Sequence, residues 1–246
     1  MNKRMKACLF ALLLCAVTAC AAAQTATGVA YGTYSMEGEH ADSLIRITLT
    51  CEDGAVTAAQ IDEKLIPATA GGTPGWAVLS EETAALLGDA VIDANGTKYP
   101  ASFALDGVTF TGAADENYAV AYTGAVNGAD VALMDYICTD EGGAWYFACE
   151  QAELLDATGA CVATAEIGTK ESIGHGVAFW PGEIKYPGNI ERICAFLVAN
   201  GVGYEGDAIA MGEDGAWAVA DATTGATLAG TPNYLLIAKR AFDNAK

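Results

Sequence analysis

The sequence predicts an α+β protein, mostly antiparallel sheet with a few short helices, and three observations carry that expectation. Residues 44–51 alternate, with Ile45, Ile47, Leu49 and Cys51 on one face, and Asp53-Gly54 then turns the chain into 55–61, a strong hairpin signal. Residues 89–167 are punctuated by the turn pairs Asn95-Gly96 and Asp106-Gly107 and read mostly as strand. Apolar residues at helical spacing gather near the C-terminus, as Ile190, Ile193, Cys194, Leu197 and Val198 and again as Tyr234, Ile237, Ala238, Ala241 and Phe242.

Taken in chain order, residues 1–19 read as a secretion signal, with Lys3, Arg4 and Lys6 ahead of the apolar run 7–17. That run is shorter than the ~20 residues that span a bilayer. Val17-Thr18-Ala19-Cys20 resembles a bacterial lipobox, which makes Cys20 the expected lipidated N-terminus. The plainer alternative is secretion with cleavage at Ala19 or Ala23, leaving Cys20 a spare thiol. Residues 20–27 are small and polar and suit a short tether.

Ser80 is placed to cap a short helix that carries Glu81 and Glu82 in its first turn and stops at Gly88. A long hairpin is expected from 145–155, the Asp156-Ala157-Thr158-Gly159 turn and 161–167. Pro187-Gly188-Asn189 starts the first C-terminal helix and Asn200-Gly201 ends it; a strand follows at 217–219. Thr231-Pro232 reads as N-cap and first residue of the last helix. The chain divides on this reading into an N-terminal β-rich part, 28–128, and a C-terminal part, 129–246, with one continuous domain over 28–246 as the alternative.

Composition narrows the function. Removing residues 1–19 takes three of the 12 basic residues and leaves nine against 31 acidic ones, a formal charge of −22. Such a chain is a poor partner for nucleic acid and is repelled by acidic headgroups, so contact with the bilayer is expected through the Cys20 lipid only. Beyond Cys20, the cysteines are Cys51, Cys138, Cys149, Cys161 and Cys194, without a C-x-x-C pair, so zinc and iron-sulfur sites are poorly supported. Up to two disulfides among five cysteines allow about 15 patterns, and buried free thiols are an equal reading.

Asp221-Ala222-Thr223-Thr224-Gly225-Ala226-Thr227 is the stretch that bears chemistry. Gly225 permits a tight turn, and Ala226 is too small to shield the neighbouring hydroxyl. A helix beginning just downstream brings backbone N–H groups and a positive dipole end that suit a negatively charged ester. The pattern resembles the attachment motif of covalent FMN-binding domains, Asp-x-x-(Ser/Thr)-Gly-Ala-(Thr/Ser), with every fixed position filled. Gly32-Thr33-Tyr34 with the strand-Asp-Gly-strand pair, and Thr73-Pro74-Gly75 ahead of Trp76, are similar to other parts of that family. The likeness covers both ends of the chain and leaves the middle as an insertion or a second β unit.

That resemblance implies FMN joined through its phosphate to Thr227 by a separate flavin transferase, with Asp221, Thr224, Gly225 and Ala226 shaping the loop and Thr73, Pro74 and Gly75 beside the flavin. It implies an exported, membrane-anchored electron carrier facing the extracytoplasmic side and fed by a membrane quinol or dehydrogenase system. A covalent link suits that location, because a Kd of about 1 μM would leave a non-resupplied cofactor mostly dissociated. Trp76, Trp180, Trp217 and Tyr234 are candidate stacking partners, each equally readable as a core aromatic. Two alternatives stand beside it: a flavin-dependent extracellular reductase, and a non-redox surface lipoprotein. The second is favoured by Ala229-Gly230, where the family has further hydroxyls.

Other chemistries find little material. Gly201-Val202-Gly203-Tyr204-Glu205-Gly206 matches G-x-G-x-x-G but follows a helix instead of a strand. Only His40 and His175 are present, and no G-x-S-x-G or phosphate-binding loop occurs.

Overall fold

The computed structural model describes residues 24–33, 43–68, 75–170, 172 and 184–246. It begins as an antiparallel meander of β1 (Thr25–Thr33), β2 (Ser43–Glu52) and β3 (Ala55–Leu65), with Ala30 opposite Ile47 and Ile47 opposite Ile61. The alternation in β2 works as expected: Ile45, Ile47, Leu49 and Cys51 are buried together on one face. Asp53 (φ 50°) and Gly54 (φ 81°) make the two-residue turn, and the same Asx-Gly conformation recurs at Asn95-Gly96, Asp106-Gly107 and Asn127-Gly128.

The middle of the chain builds its own layer. Helix α1 (Glu81–Leu87) is capped by Ser80, whose hydroxyl accepts the Thr83 N–H at 3.1 Å. β4 (Val91–Ala94) pairs with β5 (Thr97–Pro100). A six-stranded antiparallel sheet then follows from β6 (Ser102–Leu105), β7 (Val108–Ala114), β8 (Val120–Val126), β9 (Ala129–Ala132), β10 (Gln151–Leu155) and β11 (Cys161–Glu166), in the order β11-β10-β6-β7-β8-β9. Helices α2 (Leu133–Ile137) and α3 (Asp140–Ala148) interrupt it between β9 and β10.

Helix α3 corrects the expectation that the hairpin arm begins at Trp145. Thr139 accepts the Gly142 N–H at 3.0 Å, and Asp140 and Glu141 lie in the first turn, a complete N-terminal signal. Trp145-Tyr146-Phe147 has strand propensity, but Tyr146 is fully buried and donates to the Leu65 carbonyl at 2.6 Å, and tertiary packing outweighs propensity. The hairpin itself runs from Gln151 to Glu166.

The C-terminal part contributes α4 (Tyr186–Asn200), the small sheet of β12 (Ile209–Met211), β13 (Trp217–Val219) and β14 (Ala222–Thr223), and α5 (Thr231–Asn244). The buried line of α4 is Asn189, Ile193, Phe196 and Leu197, whereas Val198 is 43% exposed. The face is turned toward Phe196, which packs near Tyr204 with ring centroids 6.4 Å apart. In α5 the cap is Gly230 and Thr231 is already helical, its hydroxyl donating back to the Leu228 carbonyl at 2.7 Å. Residues 201–206 leave α4 and run into a 3-10 turn at Gly206–Ala208, not the strand-to-helix setting of a dinucleotide site.

Among the described residues two large apolar cores result, with a smaller cluster of Ala77, Ala94 and Tyr99 that shares Trp76 with the second. One lies between the meander and α4, α5 and β13, and gathers Ile47, Leu49, Ile193, Leu197, Leu235 and Ala238. The other lies under the six-stranded sheet, with Phe103, Phe110, Leu133, Ile137 and Tyr146, and also takes Tyr31 and Leu44 from the meander. The first core thus joins the two ends of the chain, and the second is built mainly from the middle. Gly128 lies in the β8–β9 turn and Ala129 begins β9. Among the described residues, Cys51, Cys138, Cys149, Cys161 and Cys194 are free thiols.

Candidate functional site

β13 is the frame on which the 221–227 loop is folded. Trp217 donates its N–H to the Ala226 carbonyl at 2.8 Å, and its own carbonyl receives the Thr224 N–H at 2.7 Å and the Thr224 hydroxyl at 2.6 Å. The Thr224 oxygen then accepts the Ala226 N–H at 3.0 Å, and the Thr223 oxygen accepts the Gly225 N–H at 3.1 Å. Both earlier hydroxyls are consumed in shaping the turn, and Gly225, at φ 69°, occupies the conformation that favours glycine. Ala226 is fully buried, Asp221 is exposed, and Thr227 is half-buried.

The side chain of Thr227 meets α4. Asn189, in the first turn of that helix and fully buried, accepts the Thr227 N–H at 2.6 Å and its hydroxyl at 3.3 Å. The Asn189 amide donates to the carbonyls of Ile184 and Lys185 at 3.0 and 3.1 Å. Three residues on, Arg192 donates to the Gly225 carbonyl at 2.7 Å and sets a guanidinium against the loop. The helix that grips Thr227 is therefore α4, not the α5 helix that follows it in sequence. On the same helix, burial pushes the Cys194 thiol up to about 11, helped by Asp62 and Glu191.

A second polar assembly lies at the start of α4. Glu63, on β3, is fully buried and pairs with Lys170 at 2.8 Å. The same oxygen accepts the Ser43 hydroxyl at 2.5 Å, and the other oxygen accepts the hydroxyls of Tyr186 and Tyr234. A cleft of ≈ 200 Å³ beside it is lined by Asp62, Thr169, Lys170, Tyr186, Pro187 and Glu191. That volume is below the roughly 300–1,000 Å³ of an enclosing ligand pocket.

Thr224, Gly225, Ala226 and Thr227 are thus brought together, while Gly75 is elsewhere. A Cβ on Gly75 would lie 2.2 Å from the Pro67 carbonyl oxygen, so this glycine closes the loop after β3. Thr73, Pro74, Cys20, Trp180 and both histidines lie outside the described residues. Trp76 belongs to the second core, its indole donating to the Tyr146 hydroxyl at 2.8 Å. Tyr234 is buried against Glu63. Trp217 stays within the loop's frame, and its indole N–H is buried with no hydrogen-bond partner among the described residues.

Sequence reasoning missed Asn189, Arg192 and Glu63. Asn189 had a usable signal, since it lies four residues before Ile193 and so on the buried face of α4. Compared with known protein families, curated proteins and solved structures, the chain gives no match.

Proposed function

We propose that the protein is an exported, lipid-anchored flavoprotein that carries FMN on Thr227 and acts as an electron carrier at the membrane or cell surface. The observation that carries this reading is the division of labour in the loop. The Thr223 and Thr224 oxygens hold the turn, while the half-buried Thr227 hydroxyl has, among the described residues, a single 3.3 Å contact, to Asn189.

The residues present fit a phosphodiester-linked flavin. Arg192 supplies a cation on the loop, and the buried Trp217 N–H is a donor in need of an acceptor. Bound flavin would supply one- or two-electron chemistry; the chain would anchor it and tune its potential through nearby donors and charges. Lys170 and Tyr186, on the neighbouring cleft, are further polar groups within the same end of the fold. Electrons would enter from a membrane quinol or dehydrogenase system, with Cys20 as the anchor.

The test is the intact mass of the chain co-produced with a flavin transferase, beside a Thr227→Ala version. A mass increase matching FMN, resistant to denaturation and lost in the variant, supports the reading. Colourless, unmodified protein from a host with a working transferase overturns it. In that case a non-redox surface lipoprotein is the better description, and the contact of the Thr227 hydroxyl with Asn189 would then be a purely structural hydrogen bond.

A further inference from the structure

The geometry points to Asn189 as the positioning residue for attachment of the flavin nucleotide, an inference that rests on the reading of Thr227 above. Its amide has only one orientation that satisfies its surroundings. Nδ2 donates to the two carbonyls at the start of α4, Ile184 and Lys185, so Oδ1 is turned toward Thr227. Because Asn189 is fully buried and anchored at both ends of its amide, the oxygen is a fixed acceptor.

That acceptor takes both the N–H and the O–H of Thr227. The N–H bond, 2.6 Å, holds the residue in place; the hydroxyl contact, 3.3 Å, is longer than an ordinary O–H···O bond, so Oγ1 stands beside the amide with its proton able to turn outward. By fixing the Thr227 backbone against α4, Asn189 fixes where Oγ1 stands before an incoming phosphorus. Attack by Oγ1 on the flavin-side phosphorus of flavin adenine dinucleotide forms the new P–O bond. The phosphoanhydride bond breaks, AMP leaves with its electron pair, and the hydroxyl proton passes to a base on the transferase. A neutral amide does not take that proton, so Asn189 orients the nucleophile and is not a catalytic residue. In the product Oγ1 carries no proton, and the Thr227 N–H bond to Asn189 continues to hold the loop.

Misplacing a reacting group by about 1 Å costs roughly 100-fold in rate. Asn189→Leu, which removes the acceptor at similar volume, should lower the rate of FMN incorporation by about 10- to 100-fold at saturating transferase and flavin adenine dinucleotide, with the KM for the acceptor protein nearly unchanged. Asn189→Ser, whose hydroxyl is too short to reach Thr227, should show a loss of the same order. Incorporation is read by intact mass against time, with circular dichroism and thermal melting on each variant. If Asn189→Leu fails to fold, the Asn189→Ser rate decides, and labelling at the wild-type rate in a folded protein overturns the inference. A folded Asn189→Leu labelled at the wild-type rate also overturns it, as does a rise in KM with kcat intact. Failure of the flavin reading is distinct, because wild type itself would then gain no mass.

Discussion

Glu63 and Lys64 are neighbours on β3, yet they secure opposite sides of the molecule, and by different chemistry. Strand alternation turns Glu63 toward the C-terminal helices, where an ammonium and three hydroxyls converge on its carboxylate. It turns Lys64 toward the unit built on the six-stranded sheet, where Nζ donates to the carbonyls of Tyr146, Phe147 and Cys149 at the end of α3. The carboxylate is matched by a full opposite charge; among the described residues the ammonium meets carbonyl dipoles, a helix C-terminus and the ring faces of Tyr146 and Phe147. One consequence is that burial holds the Lys64 ammonium below the usual lysine range, although Cys149 and Glu150 pull the other way. The joint that frames the Thr227 loop is thus compensated by a paired charge, whereas the joint to the six-stranded sheet's unit rests on dipoles and ring faces.

The largest effect is expected from breaking the first joint. Glu63→Ala removes the acceptor shared by Lys170, Ser43, Tyr186 and Tyr234, and loss of one partner of a buried pair typically costs about 3–5 kcal/mol. Urea denaturation should show a loss of that size and, because Tyr186 and Tyr234 lie in the first turns of α4 and α5, weaker amide-exchange protection in both helices. A loss below about 1 kcal/mol would mean that the network is not what holds the ends of the chain together.

Lys64→Met should cost less, about 2 kcal/mol. It leaves the terminal carbonyls of α3 without their donor but also removes a buried charge that has no paired carboxylate among the described residues. Hydrogen exchange should locate the damage in α3 and spare α4 and α5. Equal loosening on both sides would remove the distinction between the two joints.

How legible these joints were in the sequence follows from what each residue type signals. The strands of the meander were legible because Ile45, Ile47 and Leu49 repeat with period two and Asp53-Gly54 admits few conformations. The α1 cap at Ser80 was legible for the same local reason. Glu63 and Lys64 were not, because on a chain with 31 carboxylates a charged pair at a strand end looks like a solvated edge, and only the long-range arrival of α3, α4 and α5 buries it. Helix α3 was misread because its three aromatics outweigh the Thr139 cap in any local reading. The loop residues 224–227 were legible from their pattern, but the partner of Thr227 lies 38 residues earlier in the chain.

A chemical change at the loop should be nearly silent in stability, which sharpens the contrast with Glu63. Thr227→Ala removes one 3.3 Å hydroxyl contact while the backbone N–H stays on Asn189, so the cost should be about 1 kcal/mol or less. Thermal melting of the unmodified protein checks this, and a loss as large as that of Glu63→Ala would make the hydroxyl a structural element.

The smallest effect is the pH dependence of the Lys64 joint. A lysine whose folded pKa is depressed binds its proton more tightly in the unfolded chain. Between the folded value and the ordinary 10.5, the unfolded state therefore carries more protons, and stability from this group rises with pH. Its contribution is lost as pH falls through the folded value. Buried thiols and tyrosines, Cys149 among them, are shifted upward by burial and contribute the opposite slope. The informative quantity is thus the difference between wild type and Lys64→Met, measured by urea denaturation from pH 8 to pH 10.5. Wild type should gain on the variant as pH rises across that window. A flat difference would mean that the ammonium is as well compensated by the α3 carbonyls as Glu63 is by its cation, and the two faces of β3 would be equivalent.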